Sequence, residues 1–258
     1  MKILYSQKQE VATLRKICTD SLKWPILLVF TRFILALVLQ LAVALIYHFA
    51  GNPNSIEAAG HWFTVYGTLI DIGCLILIIN LLKRENRTLL DIVNIKAQTF
   101  MKTMLTSIGY IILFLPMSVV GMSVSSLLFF GTPVPQQTMG GLPMWGAIYS
   151  ITLWPMLWAI SEQITYQGYA LPRITNIVGK KWIGIAIVSF GWAFQHAALP
   201  LSLDWRYIAM RVISFIPVAV VMTVLYIRSK RLLPFIIAHW VMDLIAAITS
   251  ILLPLLRK

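Results

Sequence analysis

Apolar residues are concentrated in runs of about 20, and short connections that are polar or contain glycine and proline separate these runs. A helix of that length crosses the hydrocarbon core of a bilayer. Breaks at Gly51, Gly131 and Pro143 mark the ends of neighbouring runs. The pattern predicts about seven transmembrane helices. They cover roughly residues 25–50, 61–82, 104–130, 144–170, 182–199, 207–227 and 232–256.

The composition agrees with a membrane protein. Of the 258 residues, 59% are hydrophobic and 12% are charged, and the mean hydropathy is +0.82. A soluble domain of this size could not cover so much apolar surface. Open strands would leave backbone groups unpaired in lipid, so helices are favoured. The predicted fold class is an all-α polytopic membrane helical bundle, formed as a single integral membrane domain over residues 1–258.

Lysine and arginine alternate between the two predicted sides of the membrane. They precede the first span and occupy the second, fourth and sixth connections, whereas the first and third connections contain none. The positive-inside rule therefore places the amino terminus, residues 1–24, in the cytoplasm and the carboxyl terminus outside. We expect a multi-pass protein of the plasma (inner) membrane.

The formal net charge of +12 has the same explanation. Basic residues at the ends of apolar segments favour contact with anionic lipid head groups. No basic, aromatic-interleaved soluble module is present, which argues against nucleic acid as a partner. Membrane lipids are the partners that the charge pattern predicts.

Four ionisable residues lie inside three separate apolar runs: Glu162, His196, His239 and Asp243. Such groups are costly in hydrocarbon, so they usually face a protein-lined cavity and mark a functional site. His239 and Asp243 are four residues apart and share one helix face. A carboxylate and two imidazoles that converge between helices could activate a water molecule, which indicates hydrolysis within the bilayer.

Other roles are open for each of these residues. Glu162 could be a neutral carboxyl group bonded to a neighbouring helix, and His196 a structural donor. His239 and Asp243 could satisfy each other and fix helix packing, bind zinc, or stabilise the tetrahedral intermediate of peptide hydrolysis. Trp192 lies one turn before His196 and could shield and orient its imidazole.

Three of these segments, in this order, resemble the CAAX prenyl endopeptidase and bacteriocin-processing family, also called the CPBP or Abi family. Its pattern is Glu-Glu-x-x-x-Arg, then Phe-x-x-x-His, then His-x-x-x-Asn or Asp on successive helices. Glu162 matches the first glutamate, His196 the second motif, and His239 with Asp243 the third. Residues 144–256 form the motif-bearing core.

The resemblance implies a glutamic-type intramembrane endopeptidase, and hence proteolysis. Glu162 and His196 would activate water, while His239 and Asp243 would form the oxyanion-binding side. The resemblance favours no metal or other cofactor. A zinc-dependent, metalloendopeptidase-like version would use Glu162, His196 and His239 as ligands.

The sequence departs from the family pattern at three supporting positions. Gln163 replaces the second glutamate, Gln167 the arginine, and Trp192 the phenylalanine. Gln163 and Gln167 are four residues apart, so we expect a neutral amide pair across one helical turn. These substitutions would leave the helical scaffold in place but change the electrostatic field around Glu162. They therefore bear on activity more than on fold.

Three further charged residues, Arg32, Asp71 and Arg211, lie within predicted spans. Asp71 could pair with Arg32 or with another helix. Arg32 could instead extend to the membrane interface, as could Arg211.

The predicted function is an endopeptidase that cleaves a peptide or membrane-protein substrate near or within the bilayer. Leader peptides, peptide pheromones and lipidated carboxyl-terminal peptides are the substrates that the resemblance suggests. The alternative is a non-catalytic membrane scaffold or bacteriocin self-immunity protein. A proton-coupled transporter using Asp71 and Glu162 is a third hypothesis. The sequence leaves the oligomeric state open.

Overall fold

The computed structural model describes residues 21–93, 99–135 and 141–256, which form helices and no β-strands. Most of the predicted cytoplasmic segment, residues 1–24, lies outside these ranges. The α-helices are α1 (Lys23–Phe49), α2 (Ser55–Gly60), α3 (Phe63–Arg84), α4 (Leu89–Val93), α5 (Phe100–Phe130), α6 (Met144–Thr152), α7 (Trp154–Gln163), α8 (Leu171–Val178), α9 (Lys181–Phe194), α10 (Trp205–Ser229), α11 (Leu233–Ala247) and α12 (Leu253–Leu256).

Five helices are long and apolar enough to cross a membrane: α1, α3, α5, α10 and α11 with the π-helical turn that follows it. This confirms the all-α polytopic bundle. The predicted spans at residues 144–170 and 182–199 are composed of shorter pieces. The count of seven and the cytoplasmic amino terminus therefore remain predictions.

The segment that begins at Met144 is broken and then widened. α6 ends at Thr152 and α7 begins at Trp154, next to Pro155, whose ring and missing N–H interrupt the preceding helix. Ile164–Ala170 is a π-helix that joins α7 to α8. Pro172 follows it and has no N–H to donate to the carbonyl of Gly168, so the regular α-helical hydrogen-bond pattern is interrupted at this point.

Two apolar clusters form the core, and polar residues lie between them along the helices. On α1, Leu28 belongs to one cluster and Ala36 to the other, with Arg32 between them. On α7, Trp158 belongs to the second cluster, and Ile164, just after the helix, to the first. We call the buried residues between the clusters the polar layer. It consists of Arg32, Asp71, Ser161, Glu162, Gln163, Gln195 and His239.

A buried ion pair joins α8 to the end of α3 where the basic residues of α3 lie. The guanidinium of Arg173 on α8 donates to the carboxylate of Glu85, and the Tyr169 hydroxyl donates to the same carboxylate at 3.3 Å. The Arg173 guanidinium also lies 3.6 Å from the centre of the Tyr169 ring. This pair attaches the π-helical segment to α3.

Glycines allow three close helix contacts. A Cβ atom at Gly191 would overlap Val29 of α1, and one at Gly168 would lie 2.5 Å from Cγ2 of Ile92. At Gly121 on α5, the Cβ would overlap the backbone carbonyl oxygen of Ser214 on α10. Small residues at such contacts let membrane helices approach closely.

Replacing Gly121 with alanine should separate α5 from α10, because the opposing atom is a backbone oxygen that cannot rotate away. We expect Gly121→Ala to lower the free energy of unfolding in detergent by about 1–3 kcal/mol, typical of overpacking. Gly109→Ala on the same helix is the control, since no atom lies within 4 Å of its Cβ position. Equal thermal stability of the two variants would contradict the contact.

Candidate active site

Arg32 is the centre of the polar layer. Its side chain is 0% exposed and donates to Oδ1 of Asp71 at 2.8 Å, to Oγ of Ser161 at 2.9 Å and to Oε1 of Gln195 at 2.9 Å. Its guanidinium carbon lies 4.2 Å from the Trp158 ring centre. One cation thus connects α1, α3, α7 and the turn after α9.

Gln195 links this cation to Glu162. Its Oε1 accepts from Arg32 while its Nε2 donates to Oε1 of Glu162. The amide therefore fixes one oxygen of the Glu162 carboxylate and transmits the orientation set by Arg32. Gln195 is placed there because α9 changes into the 3₁₀ turn Gln195–Ala197.

Three ionisable groups meet beside this bridge. Nε2 of His239 lies 3.6 Å from Oε2 of Glu162 and 3.4 Å from Oδ2 of Asp243. Neither carboxylate oxygen has a hydrogen-bond partner in the described structure, and both are buried. Such orphaned oxygens are costly, so this is the place where a donor from water or substrate would be stabilised most.

Gln163 determines the orientation of the His239 ring. Its amide nitrogen lies 3.0 Å from Nδ1 of His239. Since an amide N–H only donates, Nδ1 is the acceptor and Nε2 carries the proton of the neutral ring. The Nε2–H group then faces Glu162 and Asp243.

His196 lies close by but is oriented differently. Its Nδ1 is 3.0 Å from the backbone oxygen of Trp192, so Nδ1–H donates there and Nε2 is left as an acceptor. The Phe215 ring stacks on the imidazole with a centroid distance of 3.8 Å. The Trp192 ring lies 5.1 Å from the His196 ring and 6.0 Å from the His239 ring. Trp192 therefore separates and positions the two imidazoles.

A cavity of about 460 Å³ adjoins this group, and apolar side chains, including several from α5 and α11, form most of its wall. His196, His239, Asp243 and Trp192 line it. Glu162 does not line it: this residue is fully buried, and its Oε2 lies 3.6 Å from Nε2 of His239. Leu199 and Thr249 also line the cavity. Both lie near helix ends that the positive-inside rule predicts to be on the side away from the cytoplasm.

The structure thus brings together Glu162, His239 and Asp243, and places His196 on the same cavity without a hydrogen bond or ion pair to Glu162. Of the supporting residues, Gln163 and Trp192 contact the histidines. The catalytic roles themselves remain predictions.

The expected Gln163–Gln167 amide pair is wrong. Both amide atoms of Gln167 are buried without a hydrogen-bond partner, and Gln163 uses its amide nitrogen on His239. The π-helix that starts at Ile164 changes the angular spacing, so the two side chains do not follow the four-residue rule of an α-helix.

The expected extension of Arg32 to the interface is also wrong, because the Asp71 carboxylate retains it inside the bundle. The pairing of Arg32 with Asp71 is confirmed. Sequence reasoning missed Gln195 and Ser161. Both are polar residues next to a candidate residue in an apolar run, and that signal could have identified them.

The alternative zinc set does not fit this geometry. Within the described residues, no group of three histidine, cysteine or carboxylate side chains has an arrangement that could bind a metal ion. Glu162, His196 and His239 are therefore not assembled as one ligand set.

Removing Arg32 should destabilise the whole bundle. Arg32→Met leaves the Asp71 carboxylate buried and unpaired, so we expect a loss of about 3–5 kcal/mol in the free energy of unfolding. Asp71→Leu in the Arg32→Met background should recover part of it, measured by unfolding in detergent. Arg206→Met, which breaks an exposed pair with Asp204, is the control and should change stability little. Additive losses in the double variant would contradict the pairing.

The family comparison covers the same part of the chain. Residues 142–245 match the family model described as type II CAAX prenyl endopeptidase Rce1-like, and the match includes Glu162, His196, His239 and Asp243. No curated protein and no solved structure shows a significant match. The resemblance predicted from the three motifs is confirmed, and at the family level it supports a CAAX-type membrane protease. Residues 142–245 of this chain are therefore similar to the Rce1-like type II CAAX prenyl endopeptidases.

Proposed function

We propose that this chain is an endopeptidase that hydrolyses a peptide bond near or within the bilayer. The observation that carries the proposal is the pair of buried, orphaned carboxylate oxygens of Glu162 and Asp243, which lie on the same nitrogen of His239. The family match supports protease chemistry in general. The arrangement offers a base, a donor and an apolar cavity for a peptide.

Glu162 acts as the general base. Its Oε1 is held by Gln195, and its Oε2 is the free oxygen. Oε2 takes a proton from a water molecule that enters beside His239. The acceptor Nε2 of His196 orients the same water from the cavity side. Because Glu162 does not line the cavity, a rotation of the His239 imidazole or of the Glu162 carboxylate precedes the attack.

His239 and Asp243 stabilise the oxyanion. The water oxygen bonds to the carbonyl carbon, and the carbonyl oxygen becomes negative. The Nε2–H of His239 donates to it, and Asp243 donates when protonated, since a carboxylate has no proton to give. The C–N bond then breaks, and the proton on Glu162 passes to the leaving nitrogen. The products are a carboxylate and an amine.

The membrane location, the absence of a metal and the candidate substrates are proposed from the sequence. The protein lies in the plasma membrane with a cytoplasmic amino terminus, as the distribution of lysine and arginine favours. In this proposal Glu162 activates the water without a metal ion. Bacteriocin or other leader peptides, peptide pheromones and lipidated carboxyl-terminal peptides are the candidate substrates.

Replacing the base should stop turnover without unfolding the protein. We expect Glu162→Gln to reduce cleavage of membrane-tethered peptides by about 10²–10⁴-fold, the usual contribution of a general base. Glu57→Gln changes an exposed glutamate on α2 in the same way and serves as the control. Cleavage is read by mass spectrometry at matched thermal stability. Normal turnover in Glu162→Gln would exclude the mechanism.

Asp243 offers a sharper test of the oxyanion role. Asp243→Asn supplies an amide N–H that donates at any pH, so activity should be retained. Asp243→Leu removes the donor and should reduce kcat by about 10²–10³-fold. If asparagine and leucine were equally damaging, Asp243 would instead be acting as a charged group.

Removal of metal ions tests the metal-free mechanism. We expect cleavage by the purified protein to survive dialysis against a strong chelator and to show no gain when zinc is returned. Loss of cleavage on dialysis, with recovery on addition of zinc, would contradict the metal-free proposal.

One observation favours the non-catalytic alternative, a membrane scaffold or self-immunity protein. Glu162 is fully buried behind the cavity wall, and Gln167 stands unpartnered where the family pattern has arginine. In that case Glu162→Ala would preserve partner binding or protection from a bacteriocin, while no peptide would be cleaved by the unsubstituted chain.

A further inference from the structure

Arg211 places a positive charge in the wall of the cavity. It lies on α10, and the cavity that it lines is the one that His196, His239 and Asp243 also line. Most of the other lining side chains are apolar, including Leu115, Phe215 and Met242. An ionisable residue that faces an internal cavity of a membrane protein is expected to have a partner or a function.

The contacts of Arg211 leave its charge unbalanced. One terminal nitrogen donates to the backbone oxygen of Leu199 at 2.9 Å, and the other lies 3.9 Å from the sulfur of Met122. Its Nε is buried with no hydrogen-bond partner. In the described ranges, Arg211 belongs to none of the ion pairs. The guanidinium therefore still has a donor and a full charge to offer.

A second donor lies on the same wall. Oγ of Ser118 on α5 is buried without a hydrogen-bond partner and lines the cavity too. Arginine and serine donors that line one largely apolar cavity suit an anion with two oxygens. A carboxylate fits the planar fork of a guanidinium with parallel hydrogen bonds.

Arg211 is close to the proposed reacting groups. Its guanidinium carbon lies 5.1 Å from the centre of the Phe215 ring, and that ring stacks at 3.8 Å on His196. An extended peptide advances roughly 3.3 Å per residue. A carboxylate on Arg211 would thus lie within about two or three residues of a bond presented to His196.

We propose that Arg211 is a specificity-determining residue, which binds a carboxylate carried by the substrate peptide within about two or three residues of the scissile bond. This inference rests on the proposed function, because a role in substrate specificity requires that the chain cleaves the peptide that it binds. The apolar wall receives the neighbouring side chains of the peptide, and the guanidinium fixes its register. The carboxylate comes either from a free carboxyl terminus or from an acidic side chain.

The binding experiment uses the full chain with Glu162→Gln in lipid nanodiscs, so that it does not depend on cleavage. The probes are three palmitoylated, dye-labelled hexapeptides of alanine, valine and leucine. One ends in a free carboxylate, one in an amide, and one in an amide with a glutamate near the end. Equilibrium binding is followed by fluorescence polarisation with Arg211 intact, and in Arg211→Gln, Arg211→Lys and Arg206→Gln.

We expect the free acid to bind roughly 10- to 100-fold more tightly than the amide, as a charge-assisted hydrogen bond would give. Arg211→Gln should abolish this ratio and Arg211→Lys should retain part of it. Arg206→Gln, an exposed arginine on the same helix that pairs with Asp204, should leave it intact. Tight binding of the glutamate peptide would show that the carboxylate comes from a side chain. Weak binding of that peptide would show that it comes from the chain terminus.

Equal affinity for all three peptides, or a preference for either carboxylate that survives Arg211→Gln, would overturn the proposal. A cleavage assay with the unsubstituted chain separates this result from failure of the proposed function. Carboxylate-dependent binding without any cleavage would contradict the peptidase and support the Arg211 site. Cleavage without a preference for a carboxylate would support the peptidase and contradict the Arg211 site.

Discussion

The buried guanidinium of Arg32 is the constraint on which the rest of the structure depends. A charge inside a bilayer bundle must be paired and hydrogen-bonded, or the helix that carries it cannot remain inserted in this position. Arg32 meets this need with groups from three other segments: Asp71, Ser161 and Gln195. Sliding or rotating any one helix would leave a charge without its partner. We infer that the pair contributes mainly to a unique arrangement, because replacing a buried ion pair with apolar residues is often neutral for stability.

The candidate active site inherits its geometry from this network. Gln195 passes the orientation of Arg32 to Glu162, and irregular helix geometry lies beside each of the other groups. Glu162 comes just before a π-helix, His196 lies in a 3₁₀ turn, and Asp243 precedes a second π-helix at the end of α11. Such irregular turns are frequent at functional sites, since they aim side chains in directions that a regular helix does not offer. The fold therefore places rigid, paired polar groups behind an apolar cavity.

Sequence reasoning recovered the helical class, because apolar runs of membrane length are a direct signal. It also singled out four ionisable candidates, since charged and imidazole groups stand out in apolar helices, and the structure brings Glu162, His239 and Asp243 of these together. The π-helix after Gln163 was not expected from the sequence, and it invalidated the amide pair with Gln167. The link from Arg32 to Gln195 joins residues 163 positions apart. No periodicity within one helix encodes such a contact, because it depends on how separate helices pack.

The central claim is that water attacks a peptide bond in this cavity. The most direct test is to incubate the purified chain, reconstituted in lipid, with membrane-tethered peptides in water enriched in oxygen-18, and to determine the masses of the products. The account predicts a defined cleavage position whose new carboxyl terminus carries one heavy oxygen, while the matching amine fragment carries none. Intact peptides after long incubation with folded protein, or fragments without the heavy oxygen, would contradict it.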